Sequence, residues 1–343
     1  MMSSDQVILP VQMPKVLPYQ HQAAALSILS ARDVDFMPWF CNQFTQLRVI
    51  EDPASQPWLD FYSYMYDEFP ICPWLKTEHL SHETVLRCGD GIEQFLMDSL
   101  RMERYVYIVV ECRYVSLYPA FGKYDSPHPL FVYGFDQAQR IFYVADFFKG
   151  QFEFGTVSFD EMRMSILHYK KRDNNFEGAK LIAFNPGGAA YRFDFEQFRE
   201  LLKDYVLNRD TRLRYRFLLQ VNAEEQLGID PAYARLRRDI QHSVQNSGSE
   251  LHVTSFHVLY EHKKTLAATL RYLREQGHIT GEYDMGQLER QGRLLRNLIV
   301  KFGLSRSAAV AQRAIEQLDA MWEGEKRLLL RCIQEWDHAG VTA

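Results

Sequence analysis

The chain has 343 residues, 47% hydrophobic and 24% charged, so it can bury a sizeable core in one large domain or two ordinary ones, and disorder is not its default. A net charge of −5 leaves no basic footprint for nucleic acid or an anionic membrane surface. Five scattered cysteines without a CxxC pair fit a reducing compartment. With no signal-peptide pattern and no apolar run of membrane-spanning length, the expectation is a soluble, cytoplasmic protein.

In chain order, "LPYQHQAAALSIL" reads as a loop running into a buried helix. The next stretches, "DVDFMPWFCNQFTQL" and "PWLDFYSYMYDEFPICPWL", are aromatic-rich, and Pro38, Pro57, Pro70 and Pro73 limit helices there to short pieces. Ile92, Phe95, Leu96 and Leu100 have the spacing of a short amphipathic helix. "RYVYIVVECRYVSLY", "HPLFVYGFD" and "QRIFYVADFF" read as strands, the last two as an antiparallel hairpin turning at "GFDQAQ". "GTVSFDEMRMSILHY" passes from strand to helix with Ser158 or Asp160 as N-cap, and "KLIAFNPG" is one more strand.

From about Asp194 the period becomes helical. Phe195, Phe198, Leu201, Leu202 and Tyr205 share one face; further helices follow Asp230, end at Gly277, place Leu288, Leu294, Leu295, Leu298 and Phe302 on one face, and start at Ser305 or Ser307. The predicted fold class is α+β: an N-terminal domain over 1–190 with an antiparallel sheet, then an all-helical domain over 191–343.

Thiol acyl-transfer chemistry needs a nucleophile at a helix N-terminus, a histidine to carry its proton, and an Asp or Asn to hold the imidazole. His128 opens one strand of the predicted hairpin and Asp146 lies on the other, so the two come together at one end of the sheet. At the start of the first helix, however, stand Gln20, His21 and Gln22, and a glutamine attacks no thioester. Cys41, in an aromatic segment, is the substitute nucleophile to weigh against a small buried hydrophobe. In "EHLSHE", Glu78, His79, His82 and Glu83 have helical spacing but lack the H-E-x-x-H order, and "FNPGGAAYRF" lacks a phosphate-loop pattern, so no metal and no cofactor is expected. His257, Glu261 and Lys264 fall on one helical stripe, and "RLRRD" (235–239) is a basic run.

The segments "LPYQHQAAALSIL", "PWFCNQF", "CPWL", "RYVYIVVECRYV", "KYDSPHPLFVYGFD", "IFYVADFF" and "SFHVLYEHKK" resemble, across most of the chain, the butirosin biosynthesis protein H-like family. These are papain-like (C39-peptidase-like) proteins of nonribosomal peptide and aminoglycoside gene clusters. The resemblance implies transfer of an acyl or aminoacyl group from a carrier-protein thioester to an amine. His128 is then general base, Asp146 its orienting partner, and Gln20 occupies the position of the family's cysteine. By the same resemblance, His21, Gln22, Tyr133, His257 and Glu261 line the substrate site. The alternative is an inactive pseudoenzyme that binds an acyl or peptidyl carrier protein, or a partner enzyme, as a scaffold.

Overall fold

The computed structural model describes residues 6–51, 57–63, 69–89, 91–171, 177–214, 225–246 and 251–339. Its elements run β1 (Gln6–Ile8), α1 (Gln20–Ser30), α2 (Met37–Gln43), β2 (Leu47–Ile50), β3 (Trp58–Phe61), β4 (Leu75–Leu80), α3 (His82–Leu86), α4 (Ile92–Arg101) and β5 (Arg104–Glu111). There follow β6 (Pro127–Asp136), β7 (Ile141–Phe148), β8 (Gln151–Ser158), α5 (Phe159–Leu167), β9 (Ala179–Phe184) and α6 (Phe195–Leu207). The chain continues through β10 (Glu225–Leu227), α7 (Ile229–Gln245), α8 (Val253–Glu275), α9 (Met285–Ser305) and α10 (Ala308–Ala339). The class is α+β, with antiparallel sheets and a helical C-terminal region.

The chain divides into two compact units that interleave in sequence: 1–35 with 67–191, and 36–66 with 192–343. The aromatic segment from Phe36 therefore joins the second unit, not the α+β domain in which the sequence reading puts it. Residues 52–56 and 64–66 of that segment lie outside the described residues.

The first unit is built on a seven-stranded sheet in the order β4-β9-β5-β6-β7-β8, with β1 also paired to β6. All pairings are antiparallel. "RYVYIVVE" is rich in β-branched and aromatic residues and, apart from half-buried Arg104, is buried throughout, as a central strand covered on both faces should be. Between Val132 and Gly134 the β6–β7 register shifts, and a Cβ on Gly134 would stand 2.5 Å from the Val7 carbonyl oxygen, so only glycine admits β1 here.

Alternation along the strands assigns the faces. Val132 pairs with Val144 and Val110 with His128, so His128, Leu130, Val132, Phe142, Val144 and Asp146 share one face. Phe142 on that face packs on Phe159 at the start of α5, with ring centroids 4.5 Å apart, and Arg101 of α4 lies over Phe135, the register partner of Phe142. The opposite face carries Tyr105, stacked on Phe131, and Phe184. Arg32, just past α1, reaches both: 3.2 Å to the Tyr105 hydroxyl and 4.6 Å over the Phe184 ring. Helix α1, with Ala23, Ala24 and Ala25 fully buried, thus packs on β6 and β7 from the face that α4 and α5 leave open.

One expectation is corrected in this unit. Glu78 and His79 lie on strand β4, paired to β9, whereas His82 and Glu83 lie on the separate helix α3, so the four never share a helical face. Among the described residues no group of three or more His, Cys, Asp or Glu side chains is arranged to hold a metal ion. The glycine-rich "PGGAA" is a single 3-10 turn, as its lack of a phosphate-loop pattern predicts.

The second unit is not all-helical. Its small sheet, in the order β10-β2-β3, packs on α7 and α8 and takes two strands from the Phe36–Tyr66 excursion. The Ser255 hydroxyl accepts from Leu59 N–H (3.1 Å) and His262 Nε2 lies 2.9 Å from the Thr45 carbonyl, so α8 holds the excursion in place. Short strands of four residues carry too little periodicity to read from sequence. No helix among the described residues is long and apolar enough to cross a membrane.

Candidate functional site

His128 sits at the second residue of β6, where the chain enters the sheet from a loop, and Asp146 is the sixth residue of β7. Their shared face and neighbouring strands bring Asp146 Oδ2 to 2.9 Å from His128 Nδ1. The carboxylate is fully buried, while the imidazole side chain keeps 43% of its surface exposed. Asp146 is held from two further sides: Oδ1 accepts from Phe147 N–H at 2.7 Å, and Oδ2 accepts from the Tyr118 hydroxyl. The second neighbour of His128 Nδ1 is the Pro129 carbonyl oxygen, at 2.8 Å. Both partners of Nδ1 are acceptors, so Nδ1 carries the proton and Nε2 is left with the lone pair in the neutral ring.

Electrostatics favour the charged ring. Burial pulls the imidazolium down, but the Asp146 charge, its hydrogen bond and the Pro129 carbonyl outweigh that, so His128 titrates above its ordinary value. Burial and the Asp146 charge push the Tyr118 phenol well up, so Tyr118 stays a donor.

The loop that delivers Tyr118 is tied at both ends. The Glu111 carboxylate accepts from the N–H groups of Ser126 and Arg113, closing the loop at its base. Glu161 in the first turn of α5 accepts from Ser116 N–H at 2.9 Å while completing the capping box with Ser158. Ring contacts of Tyr118 with Phe148 (5.1 Å) and His128 (6.0 Å) finish the wall.

Cys112 is the neighbour the sequence reading passes over. Its N–H bonds to Ser126 O at 3.1 Å, two residues beyond the Val110–His128 pair, and its side chain is buried. Burial, and then the charges of Asp146 and Glu111, push its thiol far up, so it stays protonated. Tyr118 and Cys112 lie 28 and 34 residues from Asp146, and both fall within "RYVYIVVECRYVSLY", which the sequence reads as one strand; β5 instead ends at Glu111, and a 3-10 turn over Cys112–Tyr114 leads into the loop that carries Tyr118.

The other predicted site residues are elsewhere. Gln20 opens α1 and is buried, with neither carboxamide atom hydrogen-bonded among the described residues. Its helix packs on the face opposite the His128–Asp146 pair, so the structure does not bring Gln20 to that pair. His21 stacks on Tyr19 at 6.3 Å, and Gln22 Oε1 accepts from Tyr19 N–H at 3.2 Å. Tyr133 is buried against Tyr143, Phe154 and Phe131, and its phenol is pushed up by burial. Cys41, in the second unit, is fully buried on α2. His257 and Glu261 lie on α8 of that unit, 4.0 Å apart, with Lys264 2.9 Å from the Glu261 carboxylate. In "RLRRD", Arg235 pairs with Asp239 along α7.

No protein-family model matches the chain, and no curated protein matches it either.

Proposed function

We propose that the α+β unit is a papain-like acyl-transfer module of secondary-metabolite biosynthesis in which His128, oriented by Asp146, is the general base. The observation that carries this reading is the pair itself: a buried, hydrogen-bonded carboxylate fixing the tautomer of a half-exposed imidazole whose Nε2 has no hydrogen-bond partner among the described residues. The order of a leading helix, a His strand and an Asp strand in an antiparallel sheet supports the papain-like assignment; the side on which α1 packs departs from it.

With Gln20 unable to attack and the Cys112 thiol held protonated, the step needs no covalent intermediate. An amine acceptor adds to the thioester carbonyl of an acyl carrier protein, His128 Nε2 takes the amine proton, and the carbon–sulfur bond breaks to release the carrier thiol, protonated by the imidazolium. A second reading, a pseudoenzyme that binds carrier protein without turnover, is favoured by the same lack of a nucleophile at the start of α1.

The test is release of acyl groups from a panel of acyl-loaded carrier proteins in the presence of amines, followed by intact mass. The expected outcome is amide formation that falls about 10²–10⁴-fold in His128→Ala, and that rises with pH through the raised His128 value. A lasting acyl adduct on the protein would replace direct transfer with a covalent route. Carrier binding with no release would leave the pseudoenzyme.

A further inference from the structure

Helix α9 buries one side and exposes the other with unusual economy. Leu288, Leu295, Ile299 and Phe302 are buried on one side of the helix, whereas Leu294, which its spacing in the sequence sets with them, is turned to the other side. On the opposite side Arg293, Leu294, Asn297, Val300, Lys301 and Leu304 form one continuous exposed stripe at helical spacing. Its apolar members are strongly exposed: Leu294 at 49%, Val300 at 43% and Leu304 at 85%. The stripe holds no acidic residue. Arg293 and Lys301 make no ion pair among the described residues, and Arg290, which borders the stripe, is engaged by Asp284.

We propose that this face of α9 is a docking surface for an acidic amphipathic helix presented by a partner protein. Charge complementarity carries the choice. In a chain of net charge −5 the stripe is a local island of positive charge, with its two uncommitted cations about 12 Å apart along the helix. A partner helix laid along it sets an apolar ridge against Leu294, Val300 and Leu304 and carboxylates two turns apart against Arg293 and Lys301. An anionic membrane fits poorly. Two cations at about 1 kcal/mol each, on a protein of opposite net charge, supply too little attraction, and three side chains on one ridge are too few to insert. The proposal is independent of the chemistry at His128.

The probe is a fluorescein-labelled, lactam-stapled 21-residue helix with leucines on one face and glutamates flanking them, read by fluorescence anisotropy against the full chain. Saturable binding is expected, weakened about tenfold both by Arg293→Glu with Lys301→Glu and by Val300→Ser with Leu304→Ser. Lys123→Glu, in the other unit, leaves it unchanged. All five changed positions are exposed, and circular dichroism of each variant checks the fold. The inference is overturned by equal binding of a peptide with the same composition shuffled off one face, by charge-reversed variants that bind like the parent, or by no saturable binding. Capture by phosphatidylserine vesicles through the same residues would overturn it in favour of a membrane.

Discussion

Each unit of the protein buries a carboxylate that accepts from tyrosine hydroxyls and faces a basic side chain, yet the two arrangements are built for opposite ends. In the helical unit Glu325 accepts from Tyr205 at 3.0 Å, from Tyr233 at 2.5 Å and from Lys263, and every member is buried. Burial pulls the Lys263 ammonium down while Glu325 raises it, and the net shift is downward. Nothing in that cluster is left over for a ligand. In the α+β unit Asp146 is as deeply buried and also tyrosine-bonded, but its basic partner is an imidazole with an open face. A closed cluster fixes a core. One with a spare nitrogen at the surface is what the proposed proton transfer requires.

The sealed cluster should show the largest effect. Lys263→Met leaves Glu325 charged, buried and short of a partner, and should cost about 3–5 kcal/mol in urea unfolding. Lys263→Met combined with Glu325→Leu removes both charges and should cost clearly less than the sum of the two single changes, a coupling read from the double-mutant cycle. Single variants costing under about 1 kcal/mol would end the contrast, because exposed ion pairs give that value.

At the open site the expected effects are shifts in titration. By NMR, His128 should titrate above 6.5, the ordinary histidine value. In Asp146→Asn the attraction is gone while burial remains, so the midpoint should fall below it. Tyr118→Phe should move it the other way, since a carboxylate that loses a donor holds the imidazolium more tightly, at about 1 kcal/mol of stability for the lost hydrogen bond. The sign for folding follows: a raised folded-state value makes the pair stabilising below the unfolded histidine value, with that contribution lost as pH rises through the folded one. Asp146→Asn should abolish this pH dependence, and an unchanged profile would mean that the pair is not formed in solution.

The two units also differed in how far sequence could see them. The long helices α6 to α10 announce themselves through apolar periodicity and caps, and the β6–β7 hairpin through β-branched and aromatic runs on either side of "GFDQAQ", although Gly134 and Asp136 belong to β6 and the turn is 137–140. His128 and Asp146 were legible because a hairpin fixes which residues face each other. Strands β2, β3 and β10, three or four residues long, were not, and so neither was the transfer of Phe36–Tyr66 to the helical unit. Tertiary pairing defines those strands, and no local pattern does. The side of the sheet on which α1 packs was equally hidden, because an alanine-rich helix buried at all but His21 and Ser30 has no polar face to orient it. That single unknown separates Gln20 from the pair with which the sequence reading placed it.

The smallest expected effect joins local capping to the site. Glu161 caps α5 through Ser158 and, with its other oxygen, holds Ser116 of the loop that delivers Tyr118. Burial raises its carboxyl, but the hydrogen bonds from Ser116 and Ser158 prevail and hold it below the usual glutamate value. A depressed folded-state value means stability that is present above the unfolded glutamate value and lost as pH falls through the folded one. Ser158→Ala removes only the cap and should cost about 1 kcal/mol with His128 titrating unchanged. Glu161→Gln keeps much of the cap but weakens the tether to Ser116, so its stability cost should be no larger while the His128 midpoint moves, because Tyr118 is less firmly held against Asp146. If both variants leave His128 untouched, the loop is positioned by Glu111 and the Phe148 ring alone, and α5 serves the sheet without serving the site.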